Sequence, residues 1–256
     1  SRGLGDVYKR QGGNHKSLGS AIFYDRIYVN NGKGNFNRSP SALPKNGYNT
    51  SVAISLDVDK DQDFDLFVGS RSVPLNYGES PPSYIYENNG DGTFKDATLY
   101  FAPFLKSIGM ITDAKYVNII DDNKEELILV GEWMSPMILK LNNGRFDLVQ
   151  CNLEQYRGWW YAVENDDIDG DGDQDLILGN RGENFYFSGS FDNPAKLWIY
   201  DFDNNGFTDK VITTVVDGLD KPVALKRELT EQIFSLYKQN LTHEEFASKS
   251  IQDLFP

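Results

Sequence analysis

The sequence predicts an all-β chain, a partial β-propeller of about four blades closed by a short helical segment at the C-terminal end. Three observations predict it. Two short motifs alternate along residues 20–215, both are flanked by β-prone runs, and only the tail beyond Leu225 carries helical spacing.

The first motif is an Asn-Gly turn between an aromatic-bearing apolar segment and a Phe. It occurs as IYVNNGKGNF (27–36), IYENNGDGTF (85–94) and LKLNNGRF (139–146). Asn-Gly readily adopts the positive φ angles of a tight hairpin, and the alternating flanks are strand-like. A hairpin is therefore expected around each of Gly32, Gly90 and Gly144.

The second motif is an acidic loop that runs directly into a β-prone segment. DVDKDQDFDLFVGSR begins at Asp57, DIDGDGDQDLILGNR at Asp167 and DFDNNGFTDKVIT at Asp201. A degraded copy, NIIDDNKEELILVGEW, begins at Asn118. Calcium is a hard cation that takes six to eight oxygen ligands. Alternate residues of a tight loop can all turn inward, so D-x-D-x-D-G-x-x-D offers side-chain oxygens at positions 1, 3, 5 and 9. The carbonyl at position 7 adds another, and glycine at position 6 permits the sharp turn.

The expected ligands are Asp57, Asp59, Asp61 and Asp65 in the first loop, with the carbonyl of Asp63. The next full copy supplies Asp167, Asp169, Asp171 and Asp175, with the carbonyl of Asp173. The last supplies Asp201, Asp203, Asn205 and Asp209, with the carbonyl of Phe207. About three structural Ca2+ sites are expected. In the first loop Gln62 stands where Gly172 and Gly206 stand in the others, which predicts a strained turn or a weaker site. The degraded copy puts Asn118, Ile120, Asp122 and Glu126 at the ligand positions, and Ile120 cannot donate, so this loop is expected to hold its turn without calcium.

An EF-hand does not fit. Its twelfth position should be a bidentate Glu, but Leu178, Val68 and Ile212 stand there, and the segments that follow are short and β-prone. A solvated acidic turn without metal is the competing reading of any one loop. Three copies at repeat spacing favour the ion.

In the tail, Leu225, Leu229, Ile233, Leu236 and Tyr237 follow helical spacing from about Leu225 to Asn240. Thr242 with Glu245 forms a capping box for a second helix reaching Leu254, with Phe246, Ile251 and Leu254 as its packing residues. The organisation expected is therefore 12–220 for the blades and 221–256 for a helical insertion or connection. Residues 1–11, SRGLGDVYKRQ, match no later pattern and read as non-native read-through, so the chain is expected to be a fragment.

The net charge of −13 argues against a nucleic-acid surface, which needs basic stripes. Three divalent ions would add six charges and bring −13 to −7. One cysteine, Cys151, rules out an internal disulfide framework, and no apolar run reaches the ~18 residues of a membrane helix.

At LILVGEWM (127–134), GWWYAVENDDIDGDGDQDLILGNRGEN (158–184), LWIYDFDNNGFTD (197–209) and the tail 226–255, the chain resembles FG-GAP/VCBS calcium-binding propeller repeats. More narrowly it resembles the large bacterial VCBS-repeat proteins of the ASPIC/UnbV, cartilage acidic protein-like group. The likeness spans roughly residues 20–255. The Phe-Gly and Gly-Ala-Pro sequences that name the repeat are absent, and so is an ASPIC/UnbV segment. The resemblance implies a secreted, periplasmic or cell-surface protein, further blades of the same protein as partners, and calcium as a structural ion. It implies no reaction.

The function expected is a calcium-stabilised extracellular binding or scaffold module for a protein or glycan. The alternative is a lectin or a calcium-assisted polysaccharide-degrading enzyme. Trp133, Trp159, Trp160, Tyr161 and Trp198 could stack on sugar rings, against the plainer reading that they pack between blades. With His15 near the N-terminal end and His243 in the tail, no nucleophile–base pair suggests itself, so a binding role is favoured over an enzymatic one.

Overall fold

The structure, a computed structural model, describes residues 16–120, 123–181, 189–239 and 242–256. The read-through segment 1–11, His15 and Asp122 lie outside the described residues. The fold is mostly β, built from several antiparallel sheets, and it divides into two compact units, Ser1–Arg181 and Gly182–Pro256.

In the first unit a hairpin, β1 (Ile27–Asn30) with β2 (Phe36–Ser39), precedes two meanders. The first meander is β3 (Asn49–Leu56), β4 (Asp65–Ser72), β5 (Tyr84–Asn88) and β6 (Phe94–Asp96), paired in that order. The second is β7 (Met110–Val117), β8 (Glu126–Met134), β9 (Met137–Asn142) and β10 (Arg145–Leu148). β11 (Gly158–Asp166) pairs with β12 (Asp175–Asn180) and also touches the end of β8, through Gly158–Met134 and Trp159–Glu132.

The Asn-Gly motifs sit in the β1–β2, β5–β6 and β9–β10 turns, as the sequence predicts. Gly32, Gly90 and Gly144 have φ of 76°, 76° and 77°, a region that a side chain would disfavour. In two of them the Asn side chain fixes the turn, accepting from Gly32 N at 3.0 Å and from Gly90 N at 3.0 Å.

β8 explains why its sequence, ELILVGEWM, shows no polar alternation. Leu127 and Leu129 face a core that includes Phe67, Ile85, Ile111 and Leu139. Ile128 and Val130 face a second core with Ile138, Val163, Leu176 and Leu178. A strand buried on both faces reads as a continuous apolar run. The second meander thus lies between the first meander and the β11–β12 hairpin.

In the second unit β13 (Lys196–Tyr200), β14 (Asp209–Val216) and β15 (Leu219–Pro222) form a three-stranded sheet. Its Val211 shares a core with Leu229, Ile233, Leu236, Phe246, Ile251 and Leu254 of the tail. The expected two helices appear as four: α1 (Lys226–Gln232), α2 (Ser235–Gln239), α3 (His243–Ser248) and α4 (Ile251–Leu254). The first break falls at Ile233, whose backbone leaves helical geometry while its side chain is wholly buried. The second falls at Ser250, which caps a new helix by exchanging hydrogen bonds with Asp253. Thr242 caps α3 as expected, accepting from Glu245 N at 3.1 Å, whereas Leu225 and Tyr237 stay exposed.

Candidate metal centres

Each acidic loop joins the two strands of an antiparallel hairpin: β3–β4, β7–β8, β11–β12 and β13–β14. The second strand begins at position 9 of the loop in every case, at Asp65, Glu126, Asp175 and Asp209. No helix follows, so the loops are not EF-hands.

One hydrogen bond recurs in all four. The position-9 carboxylate accepts the backbone N–H of position 2: Val58 to Asp65 at 2.9 Å, Ile119 to Glu126 at 3.1 Å, Ile168 to Asp175 at 2.9 Å and Phe202 to Asp209 at 3.0 Å. This bond ties the start of the loop to the strand that leaves it.

The three full loops share two more bonds. The position-1 carboxylate accepts the position-6 N–H, from Gln62 at 3.2 Å, Gly172 at 3.1 Å and Gly206 at 2.8 Å. The position-5 side chain accepts the position-7 N–H, as Asp61 does from Asp63 at 2.8 Å, Asp171 from Asp173 at 3.1 Å and Asn205 from Phe207 at 2.8 Å. Backbone N–H groups therefore already draw the carboxylates inward.

The expected strain at Gln62 is present. Its φ is 75°, beside 101° at Gly172 and 86° at Gly206, and Asn123 of the degraded loop has φ of 60°. Position 6 is left-handed in all four loops, and only two of them have the glycine that tolerates it without cost.

Among the described residues, three groups place carboxylate oxygens within 4.8 Å of one another and could hold a metal ion: Asp57–Asp59–Asp61, Asp167–Asp169–Asp175 and Asp201–Asp203–Asp209. The first uses position 5 where the others use position 9, for a local reason. Both oxygens of Asp65 are engaged, one by Val58 N and the other by Asn88 N at 2.8 Å from the neighbouring strand. Asp171 lies outside its triad; Asp171 and Asn205 both hold position 7, while Asp63, Asp173 and Phe207 contribute to the loops as backbone donors. In the third triad Asp203 Oδ1 is buried without a hydrogen-bond donor, an acceptor that a cation would satisfy.

The charges resist this crowding. Burial, with Asp59 and Asp61 nearby, raises Asp65 above the ordinary 3.8, and burial with Asp203 and Asp201 does the same to Asp209. Desolvation, then Asp61 and Glu87, raises Asp59. Asp173 is raised chiefly by Asp171.

Two neighbours escaped the sequence reading because they lie across a strand. Lys140 of β9 is the cross-strand partner of Glu126, its Nζ 4.0 Å from a carboxylate oxygen of the wholly buried Glu126 side chain. The degraded loop thus has a protein ammonium close to its position-9 carboxylate. Glu87 of β5, paired with Lys95 at 2.6 Å, adds negative charge beside the first loop. Cross-strand register, which neither motif encodes, is the signal that would have found both.

The aromatic candidates separate. Trp160 packs in the second core of the first unit and Trp198 against the core of the second. Trp133 and Trp159 meet edge to face at 4.6 Å, and Tyr161 remains 37% exposed.

No family model matches the chain, and no curated protein matches it. Among solved structures it is similar to an Agrocybe aegerita lectin described as recognising non-reducing terminal N-acetylglucosamine. The two are 18% identical with a TM-score of 0.38, over 77% of this chain and 59% of the lectin. The chain therefore spans less than two thirds of that protein, and a likeness of this size carries no argument about fold or function.

Proposed function

We propose that the chain is a run of calcium-stabilised propeller blades of the FG-GAP/VCBS type, serving as an extracellular binding or scaffold module for a protein or glycan. The repeat is carried by the position-9 to position-2 hydrogen bond, found at the same place in four hairpins, and the ion by the carboxylate triads that only the three full loops form among the described residues. The stacking of the second meander between two neighbouring sheets supports a blade arrangement in the first unit. The blades proposed run over residues 12–220, with a helical connection at 221–256.

The ligands proposed for Ca2+ are the position 1, 3, 5 and 9 side chains and the position-7 carbonyls named from the sequence, with the three triads as the nucleus of each site. Calcium would supply positive charge and oxygen coordination to carboxylates that otherwise repel one another. The protein's own contribution is the set of backbone N–H groups that fixes the loop shape. Modules outside the cell bind calcium with Kd of about 10⁻⁴–10⁻³ M. At Kd near 10⁻⁴ M, each site in ~1 mM calcium adds about 1.4 kcal/mol by mass action. Such occupancy agrees with a secreted, periplasmic or cell-surface location.

The test is a thermal melt of the chain in calcium and in EDTA. A melting temperature several degrees higher in calcium, and unchanged by the same concentration of sodium, is expected. Equal melts would overturn the proposal.

A further inference from the structure

The face of the first unit opposite the acidic loops carries a cavity of about 600 Å³, lined by polar side chains from three hairpins. That volume falls within the ~300–1,000 Å³ range of small-ligand pockets. Ser51, Thr112 and Tyr161 all line it. Each stands six residues before position 1 of its loop, at Asp57, Asn118 and Asp167, so the three are repeat-equivalent. Strand pairing also shifts register at the same place in each hairpin: between Thr50 and Val52, between Ile111 and Asp113, and between Trp160 and Ala162. Bulges of this kind re-aim a side chain. Here Ser51 Oγ donates to Ile111 O at 2.6 Å and Thr112 Oγ1 to Trp160 O at 2.6 Å, tying each hairpin to the next, while Tyr161 donates to Glu132.

The wall behind them is built around a buried charge. Glu132 is 2% exposed, and its Oε1 accepts from Arg71 at 2.6 Å and from Tyr161 OH at 2.8 Å. Its Oε2 accepts from Tyr77 OH at 2.8 Å, and Tyr77 OH in turn accepts from Trp133 Nε1 at 3.1 Å. Trp133 holds φ at 61°, a sparsely populated conformation for a bulky residue, braced by that bond and by the edge contact with Trp159. Strain of this kind persists where the surroundings over-determine it, and it gathers at ligand sites. Burial and the Glu132 charge push the Tyr77 hydroxyl well above its ordinary 10.0, so it stays a neutral donor.

Glu132 therefore acts as the hub that positions Arg71, Tyr77 and Tyr161. Arg71 and Tyr161 both line the cavity; the Arg71 guanidinium also lies over one face of the Tyr161 ring, 5.8 Å from its centre, and Tyr161 is 37% exposed. Arg71 and Glu132 offset each other, leaving a polar, aromatic-walled cavity with hydroxyl and guanidinium groups.

We infer that this cavity is a saccharide-binding site, in which Arg71 and Tyr161 hydrogen-bond the hydroxyls of a sugar residue and Tyr77 and Tyr161 wall the ring. The inference rests on reading the chain as a binding module. Its geometry lies wholly within the first unit and uses none of the acidic-loop residues.

The experiment is a binding screen of the full chain, in calcium, against immobilised neutral and uronate-bearing oligosaccharides, followed by calorimetry on any binder. Tyr161→Phe and Arg71→Lys, the second of which keeps a cation beside the buried Glu132, are compared with the unaltered chain, each first shown to melt within about 2 °C of it. Binding of a neutral or an acidic oligosaccharide, weakened at least tenfold by both substitutions, is expected, and the arm that binds identifies which sugars the site takes. Absence of binding to every oligosaccharide, or binding that both folded variants retain, overturns the inference. If calcium still raises the melting temperature in that case, the pocket assignment falls alone. If calcium has no effect yet saccharide binds, the calcium reading falls instead.

Discussion

Replacing Asp65 with alanine separates what the acidic loop does as a fold element from what it does as a candidate ion site. Asp65 is 1% exposed and accepts two backbone N–H groups, Val58 at 2.9 Å and Asn88 at 2.8 Å. Each bond to a charged acceptor contributes about 1.5–3 kcal/mol, and removing the acceptor leaves a buried donor unpaired. Two such losses come to roughly 3–6 kcal/mol. Relief of a buried carboxylate that already resists ionisation offsets part of this, for a net destabilisation of about 2–4 kcal/mol. Asp59→Ala provides the contrast: its side chain is exposed, so in EDTA the change should stay within about 0.5 kcal/mol. The assay is urea unfolding in EDTA followed by tryptophan fluorescence, since Trp133, Trp159 and Trp160 all lie in the first unit. With a slope of about 2 kcal/mol per molar urea, Asp65→Ala should move the midpoint down by roughly 1–2 M. A shift equal to that of Asp59→Ala would refute the idea that position 9 locks the loop to its strand.

The other predictions concern charge and backbone. Lys140→Met leaves the buried Glu126 without its nearby cation and should destabilise by about 3 kcal/mol, equally in calcium and in EDTA, as read by the same unfolding curves. Gln62→Gly removes a side chain from a left-handed position and should stabilise the protein by up to about 1 kcal/mol, whereas Gly172→Ala should cost about 1 kcal/mol although its added methyl would meet nothing within 4 Å. Because the carboxyls of Asp59, Asp65 and Asp209 are raised above 3.8, the metal-free fold binds more protons than the unfolded chain in the window upward from that value. Their contribution to stability in EDTA should then fall as pH rises through that window, while the gain from added calcium grows, which melts at a series of pH values upward from 3.8 would show.

Much of this architecture was legible in the residues themselves. The Asn-Gly hairpins and the strand that starts at position 9 appeared where local turn chemistry placed them, because both depend on neighbours in sequence. The triads recover part of each expected ligand set, and the difference in the first loop arises from Asn88, a residue on another strand. The tail shows the limit of periodicity: Leu229, Ile233 and Leu236 are buried as their spacing suggested, yet a cap at Ser250 and the bend at Ile233 divide the helices. The cavity was least legible, since Arg71, Glu132 and Tyr161 come from three separate hairpins and meet only through hydrogen bonds across them. Pattern in one dimension carries no record of that convergence.

The most direct measurement of the central claim is calcium titration calorimetry on the full chain, beside Asp169→Ala and Asp203→Ala. Each substitution removes one exposed or half-buried member of a triad without touching the position-9 bond. The calcium-stabilised repeat predicts saturable binding at about three sites, with one site lost or weakened at least tenfold in each variant. Binding absent from the folded chain, or unchanged in both variants, would contradict it and leave the acidic loops as turns held by their own backbone hydrogen bonds.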